Sequence, residues 1–117
     1  MNLEENVKKM IFEKEVQNAI QLWTGAYIKN KGYLDEKAKF HIGQRVKFID
    51  RGHLVDSEGI VVAIERKTIG IFYGVIFEMD DSNNGHALGN SIYSDQKLAP
   101  SGNGYWCLEH EIKPVES

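Results

Sequence analysis

Cysteine is nearly absent from this sequence. A single residue, Cys107, excludes an internal disulfide framework and fits a reducing compartment, with the cytoplasm the expected location. Long hydrophobic runs are missing as well. The longest, Ile60 to Ile64 and Ile69 to Phe77, fall well short of the roughly 20 residues a membrane-spanning helix needs. No basic segment followed by an apolar one opens the chain, so no signal peptide and no membrane partner are expected. A large charge of either sign is also lacking. The net charge of −3 argues against bulk electrostatic binding to nucleic acid.

The charge that is present is unevenly distributed. Residues 1–36 carry five Lys and six acids, residues 37–70 seven Lys or Arg and four acids, and residues 71–117 two Lys and seven acids. A modestly basic middle is thus followed by an acidic end, so one surface can meet a polyanion while another meets a basic partner.

The first thirty residues have helical periodicity and no proline. Asn2 with Glu5 three positions on has the pattern of a capping box. Phe12, Val16, Ala19, Ile20, Trp23 and Tyr27 recur at helical spacing, and Leu3, Val7 and Ile11 are expected to extend this stripe toward the N-terminus. Asn30-Lys31-Gly32 reads as the stop. Such a stripe needs a covering surface: the remainder of the chain, a second copy in a homodimer, or another protein. Phe12, Val16, Ile20, Trp23 and Tyr27 are the expected helix interface. Residues 1–36 are read as this helical segment with its connector, and residues 37–117 as a separate β domain.

Beyond Phe40 the period becomes strand-like. Gly43 to Ile49 alternates, with Val46 and Phe48 inward and Arg45 and Lys47 outward. A loop from Asp50 ends at Gly59. Ile60 to Glu65 is a β-branched strand and Arg66-Lys67-Thr68 a turn. Ile69 to Met79 is a third strand, with Gly70 and Gly74 the expected bulge or bend positions. A polar stretch from Asp80 to Gly104 precedes a short last strand, Tyr105 to Leu108. Several short strands rich in glycine suggest a small closed barrel, because closure removes exposed edges.

Gly43-x-x-Val46, the loop ending at Gly59, Ile60-Val61-Val62 and Tyr73-Gly74-Val75-Ile76-Phe77 together resemble the opening of SH3-like barrels, including KOW-type domains. Gly85-His86-Ala87-Leu88 followed by Gly102-Asn103-Gly104-Tyr105-Trp106-Cys107 is similar to a pattern in small SH3-like domains encoded by phages and prophages. The resemblance covers Ile42 to about Pro114. It implies a mainly β fold, an SH3-like small barrel preceded by a long amphipathic helix, and a binding role rather than catalysis. The long helix departs from the simple domains, and the negative charge of this barrel departs from the usually basic KOW domains.

The side chains with reactive chemistry support that role. Cys107-x-x-His110 has chelate-like spacing, but residues three apart on a strand face opposite ways. His53 and His86 are read as loop residues whose rings tie down backbone carbonyls, and Cys107 as a small core residue. Asp80, Asp81 and Asn83 read as turn formers. No metal, cofactor or catalytic residue is expected. The binding candidates are Arg45, Lys47 and Arg51, which form a basic strand face, with His86, Tyr93, Tyr105 and Trp106, which could line a groove. The leading expectation is a non-enzymatic interaction module. It would be a phage or mobile-element accessory protein that docks on a host or viral protein, for instance as an inhibitor of a nucleic-acid-handling host system. The alternatives are a nucleic-acid module that uses the basic face with an aromatic platform, and a small metal- or thiol-dependent enzyme.

Overall fold

The structure, a computed structural model, describes residues 3–32, 36–50, 56–78 and 86–115. Asn2, Arg51, His53, Met79, Asp80, Asp81, Asn83 and Gly85, singled out above, lie outside them. One long helix, α1 (Leu3–Lys29), precedes β1 (Arg45–Phe48), β2 (Glu58–Lys67), β3 (Gly70–Phe77), β4 (Gly104–Leu108) and β5 (Ile112–Pro114). A one-turn 3-10 helix, Glu109–Glu111, separates the last two strands. All pairings are antiparallel and the order is β4-β3-β2-β1-β5.

The expectation of a mainly β, closed barrel is therefore corrected. The ladders form an open five-stranded sheet, with β4 and β5 at its edges among the described residues. The 3-10 turn redirects the chain after Leu108, so β5 pairs with β1 through Phe48 and Ile112 rather than with β4. The strand expected to be the last, Tyr105 to Leu108, is thus followed by another, β5, which the sequence pattern does not announce. With a helix of 27 residues beside it, the architecture is helix plus antiparallel sheet.

α1 is acidic in its first turn (Glu4, Glu5) and has Lys29 in its last, as the helix dipole favours. It stops where the sequence suggested. The Lys31 N–H bonds to Ile28 O at 3.1 Å and the Gly32 N–H to Tyr27 O at 2.8 Å, a Schellman arrangement. Lys31, not the glycine, adopts the left-handed conformation (φ 53°). Gly32 is needed for a different reason: a Cβ there would run into the Tyr27 ring and come within 2.9 Å of Tyr93.

Both faces of the sheet are buried. One carries Val46, Phe48, Val61, Ile64, Ile71, Tyr73, Val75, Phe77, Cys107 and Ile112, closed over by Phe40. The other carries Val62, Ala63 and Ile76, covered by Val16, Ala19 and Trp23 of α1 and by Leu88, Leu98 and Ala99. Strict alternation would not put Val62 and Ala63 on the same face. The register of β2 against β3 shifts between Val61 and Ala63, and the inserted residue turns both toward the helix. The bulge thus lies on β2, not at Gly70 or Gly74. Gly74 faces Ala63 and allows the Trp106 ring to lie close, since a Cβ there would stand 3.0 Å from it.

The helical stripe packs on this second face. Val16 and Trp23 are buried, and Phe12, Ile20 and Tyr27 pack against the same cluster. A homodimer through these five residues is thereby corrected, because their surface is already used within the chain. Leu3, Val7 and Ile11 do not extend the stripe. At about 100° per residue they point roughly 180° from it, toward solvent.

The connector after α1 is held by Tyr73. Its hydroxyl accepts hydrogen bonds from the Lys39 N–H (2.8 Å) and the Phe40 N–H (3.4 Å), and Phe40 meets its ring edge-on at 5.1 Å. Burial raises the phenol above its ordinary pKa, opposed by the two amides and reinforced by the charge of Glu109. A phenol whose folded pKa is raised contributes stability that is intact below the unfolded value, near 10, and lost as pH climbs through the folded one. Tyr73→Phe should cost about 1–3 kcal/mol at neutral pH by stranding both amides, and should flatten the alkaline fall in stability; urea unfolding at pH 7 and above 10 measures both.

Candidate functional site

The proposed basic face is not a free cationic surface. Arg45 projects from β1, where Nη2 lies 2.6 Å from Glu78 Oε1 and Nη1 lies 3.4 Å from Glu58 Oε1. Partial burial pulls its pKa down, but the hydrogen bonds and charges of Glu78 and then Glu58 outweigh this and leave it raised. Lys47, two residues on along the same strand, has Nζ 3.9 Å from Asp56 Oδ1. Each cation thus has acidic neighbours, two of them in the case of Arg45.

The four ring residues proposed alongside are dispersed. Tyr105 turns toward Phe48 and Phe77 at 5.6 and 6.2 Å, on the face away from the helix. Trp106 turns the other way, and its indole N–H bonds to Gly89 O at 3.1 Å. Lys67 Nζ stands 5.0 Å from the Trp106 ring and 5.1 Å from Phe72. Tyr93 packs edge-on against Trp23 and Tyr27, at 5.8 and 5.4 Å. His86 pairs with Gly104 across an isolated bridge, and its Nδ1 accepts the Leu88 N–H at 2.9 Å. The ring does tie down backbone, but through an amide rather than a carbonyl. Cys107 is buried, with its thiol 3.7 Å from Tyr105 O, while His110 is exposed on the 3-10 turn. Among the described residues, no three His, Cys, Asp or Glu side chains gather as metal ligands would.

One cluster had no sequence signal beyond a strand glutamate. Glu65, 1% exposed, lies on the helix face of β2. Its carboxylate accepts the Trp23 indole N–H at 3.0 Å, the Ile92 N–H at 3.1 Å and the Ser91 hydroxyl. Trp23 stacks on Tyr27 at 5.1 Å, and Asn30 Nδ2 donates to Ala26 O at 2.7 Å and Tyr93 O at 3.3 Å. Helix, sheet and the loop before β4 are joined here. Both carboxylate oxygens are bonded to protein donors, and the cluster ties three elements together.

Among the described residues, two hollows flank α1: one of about 620 Å³ beside its second half, between Leu22, Gly25 and Tyr93, and one with more apolar walls beside its first half. The latter, a groove of about 500 Å³, runs between the helix, the end of β3 and the loop ahead of β4. Ile11, Phe12 and Phe77 give it an apolar wall, and Glu5, Lys9 and Glu78 charges of both signs. Its far end is pinned by Glu15, which accepts the Ser101 N–H and hydroxyl at 2.8 Å each.

In comparisons with known proteins, no family model matches this chain and no curated protein matches it. No helix among the described residues is long and apolar enough to cross a membrane.

Replacing Glu65 with alanine should cost about 2–4 kcal/mol, since it strands buried donors from two segments at once. Denaturant unfolding measures the loss, and the Trp23 emission should shift with it. Glu65→Gln, which keeps one acceptor oxygen, should cost less.

Proposed function

We propose that this chain is a non-enzymatic protein-docking module, of the kind phages and mobile elements encode as accessory proteins, acting on a host or viral protein in the cytoplasm. The observation that carries the docking role is the groove beside α1, where an apolar wall of Ile11, Phe12 and Phe77 is rimmed by Glu5, Lys9 and Glu78. An apolar floor with charges of both signs at the rim suits a peptide segment or helix better than a polyanion. The accessory-protein assignment rests on the resemblance drawn from the sequence.

We further propose that the sheet, although open, is built on the strand order of SH3-like domains. Support comes from the strand order: β1 to β4 form a meander and β5 returns beside β1 after a single 3-10 turn. The core under this curved sheet, closed over by Phe40, is consistent with that reading.

The nucleic-acid alternative has less behind it. Arg45 and Lys47 spend their charge on Glu58, Glu78 and Asp56, and Tyr105 and Trp106 face opposite sides of the sheet. Single-stranded and duplex oligonucleotides should give no mobility shift even at low salt. A shift at low salt that Arg45→Glu/Lys47→Glu abolishes would reverse the order of the two readings.

The docking reading is tested with a photo-reactive residue in place of Lys9, exposed to lysate of the native host. A single protein should cross-link at that position, and its binding to the unmodified chain should weaken at least tenfold with Lys9→Glu. Equal binding to both chains removes the groove as the docking site.

A further inference from the structure

We propose that the solvent-facing side of the first three turns of α1 joins two copies of this chain, antiparallel, about a two-fold axis near Val7. Leu3, Val7, Met10 and Ile11 are 78%, 44%, 67% and 61% exposed. Their spacing of four, three and one residues puts them on one face of the helix. That face lies opposite the stripe that packs on the sheet, and of its four residues only Ile11 also lines the groove. Large apolar side chains collected on one exposed helical face, rather than scattered singly, call for a covering surface.

The face is short. Continued along the helix it becomes Lys14, Gln17 and Gln21, all exposed, so only the first three turns can be buried by a partner. Charge then selects the partner and its direction. Glu4 and Lys8 lie on the same flank of the apolar face, one turn apart, with Nζ 3.8 Å from Oε1. A two-fold, antiparallel pairing reverses their order across the seam, so Glu4 comes beside the partner's Lys8, and Lys8 beside the partner's Glu4. It also sets Val7 against the partner's Val7 and Leu3 against the partner's Ile11. A parallel pairing would place two positive dipole ends side by side. The segment is thus complementary to itself in one orientation only.

A lipid surface fits less well. Amphipathic helices that lie on membranes carry a predominantly basic polar face, whereas residues 3–15 hold four Glu against three Lys. Because few residues take part, compared with the 20–30 per side of a standard interface, the dimer is expected to be weak and concentration-dependent. Leu3, Val7 and Met10 are not among the groove's lining residues, whereas Ile11 and Lys8 border both surfaces, so the test is made at Val7 and Leu3.

Sedimentation equilibrium of the full chain, from low micromolar to millimolar, tests it. The average mass should climb from 13.3 kDa toward twice that value. Val7→Asp should hold it at the monomer value with helix content and melting temperature unchanged, because the side chain is outside the core. Orientation is tested by oxidation: Val7→Cys should cross-link to itself in the dimer, and Leu3→Cys should not. A monomeric wild type at millimolar concentration, a Val7→Asp chain that associates as tightly as wild type, or self-cross-linking of Leu3→Cys as efficient as that of Val7→Cys would each overturn the proposal. So would binding of neutral or anionic lipid vesicles by the wild type that Val7→Asp abolishes while neither chain dimerises.

Discussion

A carboxylate taken out of water costs several kcal/mol unless donors replace the water it loses. Glu65 meets that condition with donors from two other parts of the chain: Trp23 on α1, and Ser91 and Ile92 in the loop before β4. The loop reaches both carboxylate oxygens, Ser91 at Oε2 and Ile92 at Oε1, and α1 adds the Trp23 indole at Oε2. Helix and loop thus meet on one carboxylate of β2, which couples three elements that have few other polar ties. The aromatic contacts of Trp23, Tyr27 and Tyr93 surround the same point and keep it dry. A hydrophobic stripe alone tolerates sliding by a turn, whereas an indole N–H aimed at one oxygen does not. The buried carboxylate thus fixes the rotation and the register of α1 on the sheet.

That docking has consequences for where binding can occur. The sheet is buried on one side by its own core and on the other by helix and loop. The aromatic residues that drew attention in the sequence are mostly used in these two layers. The edges offer little more: β4 has Gly104 bonded to His86 and the Leu108 N–H bonded to Glu111 Oε1 at 2.9 Å. Among the described residues, the first half of α1 keeps apolar surface open to solvent. Its inner side borders a groove, its outer side carries Leu3, Val7 and Met10, and Ile11 stands between the two. The docking role proposed above therefore rests on the helix rather than on a strand face.

Much of the fold was legible because local patterns and tertiary packing agreed. The stripe from Phe12 to Tyr27, the stop at Asn30 to Gly32, the inward Val46 and Phe48 and the meander through Cys107 all follow from periodicity and turn chemistry. The departures come where distant residues decide. Leu3, Val7 and Ile11 are spaced like the stripe but offset from it by half a turn, and only the docked rotation of α1 shows which set is buried. The bulge at Val62 is invisible in a run of β-branched residues that suits either face. Strand β5 is too short to announce itself and exists because β1 has an open side. Less of the candidate site was legible, since Arg45 and Lys47 look cationic until Glu58, Glu78 and Asp56 are brought beside them.

The sequence by itself determined the long helix, the strand pattern and the lack of disulfides, because each follows from spacing or composition within a few residues. Only the tertiary structure decided which face of the helix is buried, that β5 closes on β1 and that Glu65 is the anchor. The physical reason is the same each time. A helix face, a sheet edge or a carboxylate acquires its role from the partner that removes it from water, and that partner lies tens of residues away in the chain.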